Sequence, residues 1–171
     1  MDPSGLLRYP KIDGAFRISG SEGYSGNFGY QWNNFAKTQI DKFNGTDITE
    51  ARLQAETEWK FDDLDGDKIL EIGSGAGRFT QVLLDRTRAS IYYVDYSEAV
   101  SANYSNNGPN ERLKLFQASV YELPFRPMQF DKVLCVGVLQ HTPDIEKTIK
   151  CLADMVKPGG ELVVDFYPIL S

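Results

Sequence analysis

The clearest chemical pattern in the sequence is a glycine-rich segment followed by an acid. Gly73, Gly75 and Gly77 alternate with small residues directly after the mainly apolar segment 69–72. Asp95 comes 22 positions after Gly73, at the end of the next apolar run. Glycines permit a tight turn and the close approach of a ligand to the main chain, and a carboxylate accepts hydrogen bonds from ribose hydroxyls. This spacing predicts a site for a cofactor that contains a nucleoside.

Two cofactor classes fit this pair of features, the dinucleotides and S-adenosylmethionine. Dinucleotide sites favour the pattern G-x-G-x-x-G, which places the pyrophosphate at a helix N-terminus. Here Arg78 occupies the third glycine position, and the segment reads G-x-G-x-G. The pattern therefore favours S-adenosylmethionine, and a nicotinamide-dependent oxidoreductase is the less favoured enzyme class.

Other residues are candidates for catalysis and for substrate contact. His141 is the only histidine and follows a predicted strand. An imidazole there suits a general base, and the alternative is a structural role before the next helix. Tyr24, Phe28 and Tyr30 lie in the Gly- and Ser-rich segment 19–30. They are candidates for capping the cofactor or lining an acceptor pocket, and the alternative is an apolar clasp on the sheet.

Alternating strand and helix patterns position these residues. The periodicity predicts strands over 68–72, 90–94, 113–117, 131–136 and 161–167. It predicts helices over 77–86, 97–105 and 143–156, the last with Thr142 as N-cap and Pro143 in the first turn. Five strands with helical crossovers predict an α/β fold with a doubly wound parallel sheet. Helices are also predicted over 31–43 and from about 47 to 60, after an irregular stretch of thirty residues. These segments divide the chain into an N-terminal loop and helical extension, 1–61, and a core, 62–171.

Composition limits the classes of function. The 171 residues include 18 Lys+Arg and 24 Asp+Glu, for a net charge of -6, so a basic nucleic-acid-binding face is not expected. No apolar run approaches the ~20 residues of a membrane span. The N-terminus lacks a signal-peptide pattern, so a cytoplasmic location is expected. With two cysteines and one histidine, no metal site is expected.

Over residues 68–166 the sequence resembles the class I S-adenosylmethionine-dependent methyltransferases, in the small-molecule, type 11-like branch. Five pieces carry the resemblance in the family's order: EIGSGAG at 71–77, Asp95, ELPF at 122–125, FDKVLCVGVLQH at 130–141 and VKPGGEL at 156–162. The segment FGYQW at 28–32 with KTQ at 37–39 is similar to a subgroup linked to cell-surface saccharide or lipid chemistry. The resemblance implies a Rossmann-like core, S-adenosylmethionine as cofactor, S-adenosylhomocysteine as product, and a small acceptor such as a saccharide, lipid or quinone-like precursor.

The resemblance also implies roles for individual residues. Glu71 and the main chain of the glycine segment would face the methionine moiety and the ribose, and Asp95 would hold the ribose hydroxyls. Ser119 stands where this family often carries an acid for the adenine amino group, and its hydroxyl can accept one hydrogen bond. The residues implied to bind the cofactor are Glu71, Gly73, Ser74, Gly75, Gly77, Asp95, Tyr96, Ser119, Val120, Val136 and Gly137.

The C-terminal end departs from the family pattern. The family's sheet has seven strands, the last two forming a hairpin, whereas this sequence ends shortly after the fifth predicted strand. We therefore expect the core to lack that hairpin, either because the chain is a piece of a longer enzyme or because a partner chain or the N-terminal segment covers the edge. An uncovered apolar edge at 162–166 predicts self-association. A non-catalytic module that binds S-adenosylmethionine or a protein partner is the alternative function.

Overall fold

The computed structural model describes residues 9–18, 37, 40–73 and 75–166. Within these ranges, seven strands form one sheet. The strands are β1 (Lys11–Ile12), β2 (Ala15–Arg17), β3 (Lys68–Ile72), β4 (Ser90–Asp95), β5 (Leu113–Gln117), β6 (Phe130–Cys135) and β7 (Val156–Val164). The α-helices are α1 (Asp41–Asn44), α2 (Ile48–Thr57), α3 (Arg78–Arg86), α4 (Ala99–Asn107) and α5 (Ile145–Ala153), with 3₁₀ turns at Phe61–Leu64 and Leu139–His141.

The strand order of the sheet is β1-β2-β5-β4-β3-β6-β7. The pair β1 and β2 is antiparallel, and the remaining neighbours are parallel. From β3 the chain runs outward to β4 and β5, and it then returns to place β6 on the other side of β3. This order confirms the doubly wound α/β fold. It also creates a switch point between β3 and β6, and ligands of open α/β sheets bind at the carboxyl ends of the strands beside such a point.

The two faces of the sheet bury different apolar residues because side chains alternate along a strand. Ile69 packs on one face with Leu53 of α2 and Leu83 of α3. Leu70 packs on the other face with Leu152 of α5. All five of these residues are fully buried. The two apolar layers hold the carboxyl ends of the central strands in place.

The N-terminal part differs from the sequence prediction. The first thirty residues were expected to be irregular, but β1 and β2 lie within them. β2 pairs in parallel with β5, and Ala15 on β2 is fully buried. Strands of two and three residues are too short to show a periodic pattern, so their pairing depends on the edge that β5 offers. These strands extend the edge opposite β7.

The boundaries of the last helix and the last strand also differ from the prediction. Asp144 rather than Thr142 caps α5, because its side chain accepts a hydrogen bond from the Lys147 main-chain N–H at 2.9 Å. The Thr142 hydroxyl donates instead to the Leu139 carbonyl at 2.7 Å. β7 begins at 156 rather than 161, since its first residue already pairs with β6 across an irregularity. Of the helix predicted over 31–43, the described residues show α1, and 31–36 and 38–39 lie outside them.

No helix among the described residues has both the length and the apolar character needed to cross a membrane.

Candidate active site

The glycine segment forms the turn between β3 and α3. Gly73, Gly75 and Gly77 have φ values of +70°, +61° and +86°, which lie in the left-handed region. A Cβ at Gly73 would come within 2.7 Å of Val138 Cγ2, and one at Gly77 would overlap the side chain of Asn103. Both the conformation and the available space therefore require glycine. Ser74, the remaining predicted residue of this turn, lies outside the described residues.

Three asparagines of α4 pack against this turn and support it. Asn106 Nδ2 donates to the Ala76 carbonyl at 2.9 Å, and Asn107 Nδ2 donates to the Gly77 carbonyl at 3.0 Å. Asn103 is fully buried, and its Nδ2 donates to Thr80 Oγ1 at 3.0 Å. These residues were not predicted from the sequence. The available signal was three asparagines, a poor helix former, within a helix of nine residues.

Glu71 is linked to the same helix. Its side chain is buried on β3, and its Oε2 accepts a hydrogen bond from Thr80 Oγ1 at 2.5 Å. Because Thr80 also accepts from Asn103, a chain of hydrogen bonds runs from α4 through α3 to β3. The carboxylate is therefore held in one orientation at the start of the glycine turn.

Asp95 ends β4, and its carboxylate is already hydrogen-bonded. Its Oδ1 accepts from the Ser97 main-chain N–H at 2.8 Å and from Ser97 Oγ at 2.7 Å. Burial raises the pKa of Asp95, while the hydrogen bonds from Ser97 and Tyr93 act in the opposite direction. A carboxylate has about four acceptor positions. Bonds from the described residues take three of them, which leaves one position on Oδ2 for a further donor such as a ribose hydroxyl.

Tyr93 connects this carboxylate to the glycine turn. Its hydroxyl oxygen lies 2.8 Å from the Gly75 carbonyl and 2.9 Å from Asp95 Oδ2, so the two acceptors share a single proton. The ring is fully buried, and burial raises the pKa of the phenol well above its ordinary value. From the sequence, Tyr93 was predicted only as part of a strand. A phenol at a buried strand position was the signal that its hydroxyl needed a partner.

The loop after β6 is fixed by the carboxylate of Asp165, which was not predicted from the sequence. The Gly137 N–H donates to Asp165 Oδ1 at 2.5 Å, and Asp165 Oδ2 pairs with Arg52 Nη2 of α2 at 3.3 Å. Gly137 has φ +75°, and a Cβ there would meet only open space. The side chain of Val136 is buried in the apolar core. The candidate contribution of this loop to a ligand therefore lies in its main chain.

The candidate adenine residues lie at the ends of β4 and β5. The Tyr96 carbonyl accepts from Gln117 Nε2 at 3.3 Å. The Ala118 N–H donates to the Asp95 carbonyl at 3.0 Å, which brings the segment with Ser119 beside the end of β4. The Ser119 hydroxyl accepts from the Tyr121 N–H at 3.2 Å. Val120 packs on the apolar core.

His141 is the last residue of the 3₁₀ turn after β6, and it is half-buried. Its main-chain N–H donates to the Val138 carbonyl at 2.9 Å. The side-chain nitrogen and oxygen of the neighbouring Gln140 are buried and have no hydrogen-bond partner in the described part of the chain.

Tyr24, Phe28 and Tyr30 lie outside the described residues. Across the described ranges, no group of three or more His, Cys, Asp or Glu side chains is arranged to hold a metal ion.

The fold and the glycine turn define a class of protein. A parallel sheet with this strand order, a G-x-G-x-G turn after its central strand and an acid ending the next strand define a class I S-adenosylmethionine-dependent methyltransferase. A sequence profile described as a methyltransferase domain matches residues 70–164, more than half of the chain. The chain therefore belongs to this methyltransferase-domain family, in its type 11 branch.

Two curated relatives carry the name ubiquinone biosynthesis O-methyltransferase. The protein of Coxiella burnetii (strain RSA 493 / Nine Mile phase I) is 32% identical over 101 residues, which cover 58% of this chain and 43% of the relative. The protein of Pseudomonas fluorescens (strain Pf0-1) is 32% identical over 103 residues, which cover 58% of this chain and 44% of the relative. The match thus spans less than half the length of these relatives.

Two solved structures share the fold. Haemonchus contortus phosphoethanolamine N-methyltransferase 2, in complex with phosphomonomethylethanolamine and S-adenosylhomocysteine, superposes with a TM-score of 0.66 at 22% identity, covering 86% of this chain and 35% of that one. An S-adenosylmethionine-dependent methyltransferase of Aquifex aeolicus superposes with a TM-score of 0.61 at 16% identity, covering 83% of this chain and 72% of that one.

The cofactor of the family is S-adenosylmethionine, and the residues present fit it. The left-handed φ values of Gly73, Gly75 and Gly77 turn the main chain sharply at the carboxyl end of β3, the edge of an open α/β sheet at which ligands bind. The remaining acceptor position of Asp95 suits a ribose hydroxyl. When bound, S-adenosylmethionine supplies an electrophilic methyl group on a sulfonium centre.

Proposed function

We propose that this chain transfers a methyl group from S-adenosylmethionine to a hydroxyl group of a small acceptor, with a quinone-like phenol as the first acceptor class and saccharides and lipids as the others. The observation that supports binding of the cofactor is the hydrogen-bonded link from Gly75 through Tyr93 to Asp95, at the carboxyl ends of β3 and β4. The choice of a phenol is supported by the two relatives named ubiquinone biosynthesis O-methyltransferase.

The reaction depends mainly on alignment and on the exclusion of water. The acceptor oxygen forms a bond to the methyl carbon, the carbon–sulfur bond breaks, and its electron pair stays on sulfur. Asp95 would hold a ribose hydroxyl, and the main chain of the glycine turn would orient the methionine moiety. The acceptor's hydroxyl proton has to leave, and His141 on the turn after β6 is our candidate to receive it.

A second candidate function is a module that binds the cofactor without turnover. Ser119 favours it, because a hydroxyl replaces the acid that related enzymes often present to the adenine amino group. The Ser119 hydroxyl already accepts a hydrogen bond from the Tyr121 N–H, which reduces its capacity as an acceptor. Weak adenine recognition would follow, with the main chain at Val120 as the remaining contact.

The test combines binding with transfer. Thermal unfolding is recorded with S-adenosylmethionine, S-adenosylhomocysteine and NAD in parallel, and isotope-labelled methyl donor is then incubated with catechol-type, saccharide and lipid acceptors. A ligand at about a hundredfold its Kd stabilises by ~2.7 kcal/mol, which corresponds to roughly 5 to 10 °C here. We expect a rise with the first two ligands only, and label on the phenolic acceptor.

The matched pair of variants is Asp95→Asn and Asp131→Asn. Asp131 also accepts hydrogen bonds near the sheet, but from Lys157 and the Lys68 N–H, at the start of β3 rather than at its carboxyl end. Asp95→Asn should lose the ligand-dependent rise, and Asp131→Asn should keep it. A rise without label on any acceptor would support the binding module, and an equal rise with NAD would overturn the proposal.

A further inference from the structure

Arg17 on the N-terminal strand β2 contacts three different elements with its guanidinium. Nη1 lies 2.9 Å from Glu98 Oε2 and 2.8 Å from Gln117 Oε1, and Nη2 lies 2.7 Å from Ser101 Oγ. The side chain of Arg17 is 13% exposed. An exposed ion pair with Glu98 alone would contribute little, because water screens it. The guanidinium instead joins β2, β5, α4 and the loop after β4 at one half-buried point.

These contacts lie in the same register of the sheet as Asp95, the candidate acid for the ribose hydroxyls. Arg17 is the register partner of Gln117 on β5, and Gln117 is the register partner of Asp95 on β4. Gln117 is 2% exposed, and its Nε2 donates to the Tyr96 carbonyl at 3.3 Å and to Glu98 Oε1 at 3.1 Å. The guanidinium therefore holds, directly and through Gln117, the loop 95–98.

We infer that Arg17 is a positioning residue for cofactor binding, which acts by fixing the loop 95–98 in the conformation that presents Asp95. The inference rests on the proposed role of Asp95. A loop that is already ordered loses less conformational entropy when a ligand binds, so the affinity for the ligand rises. Arg17 itself does not need to touch the cofactor. The methyltransferase profile matches residues 70–164. The N-terminal strand β2 lies outside this range and, by this inference, contributes to the affinity of the site.

Arg112 is a matched control for Arg17. Its guanidinium also makes three hydrogen bonds, to the carbonyls of Leu84 at 2.7 Å, Thr87 at 2.9 Å and Ala89 at 3.1 Å. It stands just before β5, whereas Arg17 is level with the last residue of β5. Loss of either guanidinium should lower the stability of the protein, but only the loss of Arg17 should loosen the loop 95–98.

The experiment measures the Kd of S-adenosylhomocysteine and of adenosine by calorimetry, well below the unfolding temperature of each protein. The variants are Arg17→Gln, Arg17→Lys and Arg112→Gln, together with the wild type. We expect Arg17→Gln to weaken both ligands roughly tenfold, the affinity equivalent of one lost hydrogen bond. Arg17→Lys keeps the charge but not the planar fork, so it should restore part of the affinity. Arg112→Gln should bind like the wild type.

The outcomes separate this inference from the proposed function. No binding of S-adenosylhomocysteine by the wild type would overturn the proposed function and this inference with it. Binding by the wild type and equally tight binding by Arg17→Gln would overturn this inference alone. An equal loss of affinity in Arg17→Gln and Arg112→Gln would show a general effect of lowered stability and would also overturn it.

Discussion

At the scale of single residues, the site depends on polar groups that are satisfied before any ligand arrives. Tyr93 shares its proton between the Gly75 carbonyl and Asp95, and Ser97 supplies two further donors to Asp95. A buried carboxylate with such partners keeps a fixed orientation. We therefore expect a ligand to use the remaining acceptor position of Asp95 without rearrangement of the proposed site.

We predict that Tyr93→Phe weakens S-adenosylhomocysteine binding. The variant removes the hydroxyl that ties the glycine turn to Asp95 but keeps the ring, so the expected loss is roughly tenfold in Kd. Tyr92→Phe is the control, because Tyr92 packs its ring against Phe130 on the opposite face of the same strand. Calorimetry on both variants measures the effect, and equal affinity in Tyr93→Phe and the wild type would contradict the prediction.

The Cys135 thiol gives a prediction on pH dependence. Burial, and secondarily the charge of Asp165, raises the pKa of Cys135 from 9.0 to about 12. In the unfolded chain the thiol loses its proton at a lower pH than in the folded protein. Its contribution to stability is therefore present below the ordinary value of 9.0 and is lost as pH rises toward 12.

This contribution is measured as the difference in urea unfolding free energy between the wild type and Cys135→Ala, at pH 8 and at pH 10. Other groups titrate in both proteins, so the difference isolates the thiol. We expect the advantage of the wild type to shrink by ~1.4 kcal/mol at the higher pH. A difference that does not change with pH would show that the folded thiol titrates normally.

At the scale of elements, the turn between β3 and α3 is shaped as much by α4 as by its own glycines. The carbonyls of Ala76 and Gly77 accept hydrogen bonds from Asn106 and Asn107. Asn103 fills the space where a Cβ at Gly77 would lie. The turn and the helix that supports it therefore form one unit, and a change in either should disturb both.

We predict that Gly77→Ala lowers both stability and cofactor affinity, whereas Gly66→Ala lowers stability alone. Both glycines have a left-handed φ, of +86° and +81°, so each alanine adds strain of about 1 kcal/mol. A Cβ at Gly66 meets nothing within 4 Å, but one at Gly77 displaces Asn103 and with it the hydrogen bond to Thr80. Urea unfolding and calorimetry on the two variants check this difference, and equal affinities would contradict it.

At the scale of the whole molecule, the two edges of the sheet differ in how their strands are paired. On one edge, β2 covers β5, and β1 covers β2. On the other edge, β6 is the only neighbour of β7 within the described residues. An uncovered strand offers main-chain N–H and C=O groups to another chain. Self-association through β7 therefore stays a prediction, carried over from the sequence.

Sedimentation velocity at increasing micromolar concentrations tests this prediction, and we expect a concentration-dependent dimer. Hydrogen exchange locates the contact, because amides at 161–164 should slow as the concentration rises. Amides of β5, which is paired on both sides, should not change. A monomer at all concentrations would contradict the prediction.

The features that the sequence alone determined are those set by local chemistry. The strands at 68–72 and 113–117 have the predicted bounds, and the first of them runs directly into Gly73, a strong turn residue. The glycine turn and the acid 22 positions after Gly73 are likewise local to one strand-helix-strand unit. This pattern was sufficient to predict the fold class and the cofactor of the family.

Tertiary structure alone decided the contacts between residues far apart in the chain. Arg17 and Gln117 are separated by 100 positions, and Gly137 and Asp165 by 28. Neither pair leaves a periodic signal, because each contact exists only after the parallel strands have brought their carboxyl ends to one edge of the sheet. The same holds for β1 and β2, which are too short to be stable without the edge of β5. Local sequence thus specified the residues that we propose to face a ligand, and the assembled sheet specified the residues that hold them in place.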